Sequence, residues 1–244
     1  RLLREGPFEN IWIQPAAGDA GGALGAALIG WHKYHNKPRT ADEKTDTQKG
    51  SYLGPEFSEE EIKSFIQSFN LSAKRYDDDQ LIENVANLIN SEKVIGWFDG
   101  KMEFGPRALG SRTIIGDARS PKMQATMNIK IKFREGFRPF APSVLYEKVS
   151  EFFEIEKASP YMLLTADVKK ERRIPMTDEE HKKWGIEKLN VVRSNIPAIT
   201  HVDYSARLQT VHKETNPRYH KLISKFEEKT GCAVIINTSF NVRG

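Results

Sequence analysis

Cysteine and long apolar runs are scarce in this sequence, and each shortage excludes a class of protein. A single cysteine, Cys232, allows neither an intrachain disulfide nor a zinc site built from several thiolates. The longest apolar runs fall far short of the ~20 residues that cross a bilayer, and no basic-then-apolar leader opens the chain. Hydrophobic residues still make up 39%, with 13 Phe and 4 Trp to fill a core. We therefore expect a cytoplasmic globular protein that does not contact a membrane.

Basic charge is concentrated in one stretch. The whole chain of 244 residues carries a net charge of +4, whereas residues 99–142 alone hold nine basic and four acidic residues, a balance of +5. These charges alternate with Gly, Pro and bulky apolar residues, unlike a solvated basic tail. Arginines on rigid turns suit the planar recognition of phosphate or carboxylate. The stretch predicts a pocket for an anionic, phosphate-bearing small molecule.

Helical and strand patterns alternate along the chain, which predicts an α/β fold. Ser58 and Glu61 form a capping-box pattern, and Gly231 is typical of a helix C-terminus. A charged excursion is expected at 169–190. The predicted helices are residues 58–69, 79–89, 121–130, 146–154 and 217–229, with Asp79 and Ser120 as caps of the second and third. The predicted strands are residues 93–98, 140–145, 161–168, 206–211 and 233–237.

A glycine-rich segment lies near the start of the chain. Residues 11–14 (IWIQ) are a strand candidate, followed by a Gly-rich turn and a small-residue helix, an arrangement that lets a phosphate approach the backbone. Asp19 in the turn is free to bind a metal or a ribose hydroxyl. The alternative is a tightly packed Ala/Gly helix with Asp19 as its N-cap, which the motif alone favours. His32 and His35 have helical spacing but no third ligand, so we interpret them as surface histidines.

Turns at strand ends should present Arg107 and Arg112. Gly105 and Pro106 force a turn just before Arg107, and ligands of α/β sheets bind at such strand ends. The alternative is that both arginines neutralise Glu103 and Asp117 within the fold. We expect both kinds of role in this stretch.

Further cations follow in the basic stretch. Residues 130–134 alternate basic and apolar, so a strand would place Lys130, Lys132 and Arg134 on one face, against an anion or as a solvated edge. Two prolines near Arg138 predict a rigid, half-buried guanidinium that needs a partner.

The last third of the chain adds Arg207 and Ser239 to the candidate site. Arg207 has apolar neighbours in a predicted strand and must be paired. The NTSFN segment offers hydroxyl and amide groups for a phosphate or a ribose, although it also fits an ordinary turn. No Ser, Cys or His nucleophile with a partner stands out. This favours phosphoryl or adenylyl transfer by positioning and charge neutralisation.

Several of these motifs resemble one family. DGKMEFGPRALGSRTIIGD, NIKIKFREGFRPFAP, SARLQTV and NTSFN, in this order, resemble the C-terminal domain of the O-carbamoyltransferases, which include the nodulation-protein U type and antibiotic-tailoring enzymes. QPAAGDAGGALGAAL resembles the end of that family's actin/Hsp70-like N-terminal domain. The resemblance implies a remnant strand and helix of the N-terminal domain at 1–36, a linker at 37–57, and a C-terminal domain at 58–244. The C-terminal domain should be a twisted mixed sheet with flanking helices, similar to YrdC/Sua5.

The resemblance also implies a mechanism. The C-terminal domain would convert carbamoyl phosphate and ATP, with Mg²⁺, into carbamoyl adenylate, and the N-terminal domain would pass the carbamoyl group to a hydroxyl of a sugar or natural product. Arg107, Lys132 and Arg138 match the catalytic and binding positions, and Arg207 and Ser239 match further binding positions.

Asp19 matches the aspartate that binds the divalent metal of the N-terminal domain, for which iron is expected. The family's metal-binding histidines would precede Arg1. The chain is therefore interpreted as a fragment in which hydroxyl transfer is lost, the adenylate-forming site is present, and Asp19 binds metal only in the longer protein.

Other functions remain open on the sequence alone. The first alternative is a non-catalytic YrdC-like module that binds RNA or a nucleotide, although the basic residues are interleaved with turn-forming residues and no RNA-binding motif with stacking aromatics is found. The second is an inert scaffold fragment. The identity of the acceptor and the oligomeric state, a homodimer included, are left open.

Overall fold

The computed structural model describes residues 2–40, 42 and 46–241, and within them the strands form one mixed sheet. Its six strands have the order β1-β2-β6-β3-β5-β4. In this sheet β3 and β5 are parallel, and all other neighbours are antiparallel. The strands are β1 (Ile95–Phe98), β2 (Arg112–Asp117), β3 (Ala141–Leu145), β4 (Leu164–Asp167), β5 (Ser205–Val211) and β6 (Val234–Ser239).

Helices flank this sheet, which confirms the predicted α/β class. In the described residues α2 continues into a π-helical turn at Gly30–Tyr34, and α5 into another at Met127–Ile131. None of the described helices is long and apolar enough to cross a membrane. The α-helices are α1 (Leu2–Glu5), α2 (Asp19–Ile29), α3 (Glu59–Ser68), α4 (Asp78–Asn90), α5 (Met123–Thr126), α6 (Val149–Phe152), α7 (Asp178–Lys182), α8 (Gly185–Leu189) and α9 (Pro217–Thr230).

The main core lies where α4 and α9 pack on each other and on the sheet. α9 starts at the side-chain cap Asn216 with Pro217 in its first turn, and it ends at Gly231, whose φ of 70° is left-handed. Its apolar face, including Phe226, is fully buried. The predicted limits and cap of this helix are confirmed.

Several local predictions were wrong. Residues 11–14 form no strand, and none of the strand pairs among the described residues includes them. Gly18 rather than Asp19 occupies the cap position of α2, and that helix buries none of its residues. Asp77 caps α4 instead of Asp79, since its side chain accepts from Gln80 N.

Helix α5 and the residues after it also differ from expectation. Lys122, not Ser120, is the residue before α5. Residues 127–131 continue the helix as a π-turn, so the basic-apolar alternation around Lys132 does not belong to a strand. A strand was missed at β2, in the middle of the basic stretch.

The segment before α3 packs closely against the sheet. Ser51 O accepts from Phe104 N at 2.7 Å, and Gly54 N donates to Met102 O at 2.9 Å. Tyr52 forms an isolated β-bridge with Glu103. These bonds attach residues 46–57 to the loop that precedes β2. The domain limits inferred from the resemblance stay a prediction.

Candidate anion-binding site

One small cavity gathers two of the four cations selected for the site, Arg107 and Arg207, whereas Lys132 and Arg138 are not among its lining residues. It measures about 150 Å³ and lies where the loop before β2, the start of β3, the middle of β5 and the end of β6 meet. Arg107, Arg134 and Arg207 line it together with Ser239, and no Asp or Glu is among the described residues that line it. Two larger cavities, of about 670 and 520 Å³, mix acidic and basic side chains. Charge therefore selects the smaller cavity as the candidate anion site.

Arg207 reaches this cavity from β5, where it pairs with Thr165 of β4. Its Nε is buried and meets no hydrogen-bond partner in the described part of the chain. Burial, and then the nearby charge of Arg107, lowers the pKa of Arg207. The partner expected from the sequence is thus not supplied by the described residues. A buried donor without an acceptor is costly, so an anion in the cavity would relieve this cost.

Arg134 was assigned to the basic stretch but not to the site, and the structure places it in the cavity wall. Its Nε donates to Asn128 Oδ1 at 2.7 Å, and its guanidinium lies 5.0 Å from the ring centre of Phe140. Burial, and then the charge of Arg138, lowers the pKa of Arg134. Two fixed contacts orient this arginine before any ligand arrives. The pairing with Phe140, six residues later, has no sequence signature.

Lys132 lies at the rim of the cavity, beside Ser239. Its Nζ donates to Ser239 O and, at 2.8 Å, to Asn241 Oδ1. The Ser239 hydroxyl also donates to Asn241 Oδ1 at 2.8 Å. Burial, and then the charge of Arg134, lowers the pKa of Lys132 to about 8. Lys132 is thus a cation close to losing its proton, held by neutral oxygen acceptors.

Arg138 does not line the cavity. Its Nε pairs with Glu135 Oε2 at 2.9 Å, and its side chain is 53% exposed. The side chain is thus about half exposed and its expected partner is Glu135, while the rigid feature here is the backbone. Arg138 O accepts from Asn128 Nδ2 at 2.8 Å and from Gln124 Nε2 at 3.2 Å. Its role in the site stays a prediction.

Arg107 and Arg112 have different environments. Arg107 is exposed and lines the cavity, whereas Arg112 is 9% exposed and structural. Arg112 lies 3.6 Å from the ring centre of Phe98 and donates to the carbonyls of Pro55, Asp99 and Gly100. The acids proposed to neutralise this pair act otherwise.

Those two acids satisfy other donors. Glu103 accepts three backbone N–H groups, from Leu109, Ser111 and Arg112. Asp117 pairs with Arg119 at 2.6 Å. The alternative drawn from the sequence is therefore right that Arg112 is structural and that the charge of Glu103 favours its charged form, whereas Asp117 pairs with Arg119 instead.

Asp19 does not line the cavity and is the exposed first residue of α2. Among the described residues, no group of three or more His, Cys, Asp and Glu could hold a metal ion. His32 Nδ1 is hydrogen-bonded to Lys37 O at 2.9 Å, as a surface histidine would be. The metal role of Asp19 stays a prediction that concerns a longer protein.

Together, the mixed sheet and the cationic cavity define an α/β protein with a candidate anion-binding site. Comparison with known proteins then gives the family. The model described as Carbamoyltransferase C-terminus matches residues 86–244, and the one described as Carbamoyltransferase N-terminus matches residues 1–28. The first match covers more than half of the chain. The chain belongs to the carbamoyltransferase family.

Its relatives are considerably longer proteins. An uncharacterized protein of Synechocystis sp. is 59% identical over 100% of this chain and 40% of its own length. Nodulation protein NolO of Bradyrhizobium diazoefficiens is 38% identical over 99% of this chain and 40% of its own length. The 3'-hydroxymethylcephem-O-carbamoyltransferase of Streptomyces clavuligerus is 30% identical over 98% and 39%. The chain thus spans about 40% of the length of these relatives.

Proposed function

We propose that this chain carries the carbamoyl-activating site of an O-carbamoyltransferase. It binds carbamoyl phosphate and ATP and forms carbamoyl adenylate, for the carbamoylation of a hydroxyl on a sugar or natural product. The observation that carries the proposal is the cavity lined by Arg107, Arg134 and Arg207 without a carboxylate. Family membership supports the carbamoyl chemistry, and one relative is by name an O-carbamoyltransferase.

The cations of the site would make different contacts with the ligand. Arg207 offers a buried Nε–H and Arg107 an exposed guanidinium, so the phosphate of carbamoyl phosphate can be held between them. Arg134 and Lys132 add positive charge along the adjoining wall and rim. Ser239 Oγ can donate to a phosphate oxygen or accept from the carbamoyl NH₂.

The chemistry needs charge neutralisation more than a nucleophilic side chain. Water first takes the phosphoryl group of carbamoyl phosphate, which breaks its O–P bond and releases inorganic phosphate and carbamate. A carbamate oxygen then bonds to the α-phosphorus of ATP, and the bond from that phosphorus to pyrophosphate breaks. Fixed cations stabilise the charge that builds up on the phosphoryl oxygens. Because no described residue that lines the cavity carries a carboxylate, Mg²⁺ would be held by the nucleotide phosphates.

Transfer to the acceptor belongs to a longer protein. Asp19 would supply one carboxylate ligand for a divalent metal, with iron expected, and the other ligands would come from outside this chain. The metal, when bound, would activate the acceptor hydroxyl as a Lewis acid. We accordingly propose that this chain activates the carbamoyl group without completing its transfer.

Calorimetric titration with carbamoyl phosphate, with and without ATP and Mg²⁺, tests this function. We expect saturable binding by the unmodified chain and a loss of at least about tenfold in affinity for Arg207→Met, since a charged hydrogen bond is removed from a half-buried site. Lys130→Met is the matched control, because it removes an exposed cation outside the cavity. Equal losses in both variants, or binding of RNA but of neither small molecule, would contradict the proposal.

A further inference from the structure

The loop that presents Arg107, residues 105–111, is held by buried side chains rather than by regular secondary structure; we name it the arginine loop. Three successive carbonyl groups in it each accept an N–H from a side-chain amide. Asn237 Nδ2 donates to Ala108 O at 2.9 Å, Gln209 Nε2 to Leu109 O at 2.7 Å, and Asn216 Nδ2 to Gly110 O at 3.2 Å. The loop backbone is therefore attached to β6, β5 and the start of α9.

The N–H groups of the same loop are held from the other side. Glu103 is 6% exposed, and its Oε1 accepts from Leu109 N and Ser111 N, each at 2.8 Å. Gly110 has φ of +102°, and a Cβ there would lie 2.3 Å from the Tyr219 ring. The loop thus has one backbone path, fixed by donors and acceptors on opposite sides.

Gln209 has a central place among these contacts. It is 3% exposed, and it does not line the anion cavity. Its Oε1 accepts from Ser143 Oγ at 2.7 Å and from Asn237 Nδ2 at 2.9 Å, so its Nε2 is the group turned toward Leu109 O. Both ends of the amide are fixed, and the amide holds Leu109 O together with Tyr52 Oη, which also donates to it at 2.7 Å.

The positive charges beside the arginine loop explain why its backbone must be held in place. Arg107 and Arg207 are close enough for the charge of Arg107 to lower the pKa of Arg207. Without an anion between them the two guanidinium groups repel, and a loosely held loop would move Arg107 away. Hydrogen bonds to the loop backbone oppose that movement and keep the cavity ready for its ligand.

We propose that Gln209 is a positioning residue for anion binding: its bond to Leu109 O sets the arginine loop and thereby aims Arg107 into the cavity. The inference rests on the proposed function for the identity of the anion. The contact it assigns does not depend on that identity.

The first experiment compares Gln209→Met with Thr210→Val by hydrogen exchange without ligand. Methionine keeps the length of the side chain but cannot donate to Leu109 O. Thr210 is the neighbouring β5 residue, 1% exposed, and its Oγ1 accepts from Ser159 N, so valine removes a buried hydrogen bond outside the loop. We expect faster exchange at residues 108–111 in Gln209→Met alone. Unchanged exchange, or an equal rise in both variants, would overturn the proposal.

The second experiment is a double-mutant cycle with Arg107→Ala, read by titration with carbamoyl phosphate. We expect Gln209→Met to weaken binding about tenfold in the unmodified chain and hardly at all in the Arg107→Ala background, because coupled residues are not additive. Equal losses in both backgrounds would show a merely structural role and overturn the proposal. If the unmodified chain binds no carbamoyl phosphate, the proposed function fails, and hydrogen exchange still decides whether Gln209 holds the loop.

Discussion

Lys132 shows how a single residue can make the site sensitive to pH. Its amine is partly buried and lies near Arg134, and both effects disfavour the charged form. Its hydrogen-bond acceptors, Ser239 O and Asn241 Oδ1, carry no full charge. A lysine in such surroundings changes charge close to physiological pH, whereas the arginines of the cavity stay charged.

The pKa of about 8 predicts the pH dependence of carbamoyl-phosphate binding. Below this pKa Lys132 is a cation and supports binding; as pH rises through it, the charge is lost and affinity falls. We expect a loss of about tenfold between pH 7 and 9, measured as Kd by titration. Lys132→Arg should abolish this step, since arginine stays protonated over the range. If the affinity of both proteins fell by the same amount over this pH range, a group other than Lys132 would be responsible.

The residue types in the sequence allowed some residues of the site to be predicted, but not all of them. Arg107 and Ser239 were selected beside strand ends, and Arg207 was selected as an arginine that needs a partner among apolar strand neighbours; the structure brings all three to one cavity. Arg134 was passed over, because its place depends on Asn128 and Phe140. Such contacts decide on which side of a loop a guanidinium group lies, and no local sequence pattern indicates them.

At the scale of elements, strong local signals gave the right structure. The capping box at Ser58 and Glu61 is formed, and the apolar runs near the C-terminus became β5 and β6. β2 was not predicted because Gly and Arg residues surround it in the sequence. It is a strand because it pairs with β1 and β6. Residues 130–134 look like a strand by alternation, yet the π-turn continues α5.

Gly231 gives a test of these local signals. Its φ of 70° is left-handed and nothing lies within 4 Å of a Cβ there, so a substitution is costly for backbone reasons alone. We expect Gly231→Ala to lower the free energy of unfolding by about 1 kcal/mol. Gly231→Asn is the control and should cost less, since Asn tolerates this conformation better. Urea unfolding measures the free energy of unfolding of both variants. Equal losses would mean that the left-handed conformation at the helix cap does not cause the loss.

At the scale of the molecule, apolar patterning predicts which face of a helix is apolar but not whether that face is covered. The apolar faces of α9 and of much of α4 are buried against the sheet. The apolar face of α3 has the same spacing, but Ile62, Phe65 and Phe69 are 46%, 55% and 64% exposed. Burial depends on which other elements are present to pack, and periodicity within one helix does not contain that information.

Two phenylalanines with the same helical spacing should therefore differ greatly in their effect on stability. Phe226 in α9 is fully buried, and Phe226→Ala should lower the free energy of unfolding by about 3–5 kcal/mol, because it removes apolar contacts and leaves a cavity. Phe65 in α3 is 55% exposed, and Phe65→Ala should change the free energy of unfolding by less than about 0.5 kcal/mol. Urea unfolding of both variants measures the difference. A loss above 2 kcal/mol for Phe65→Ala, on the order of a core deletion, would show that α3 is packed in solution.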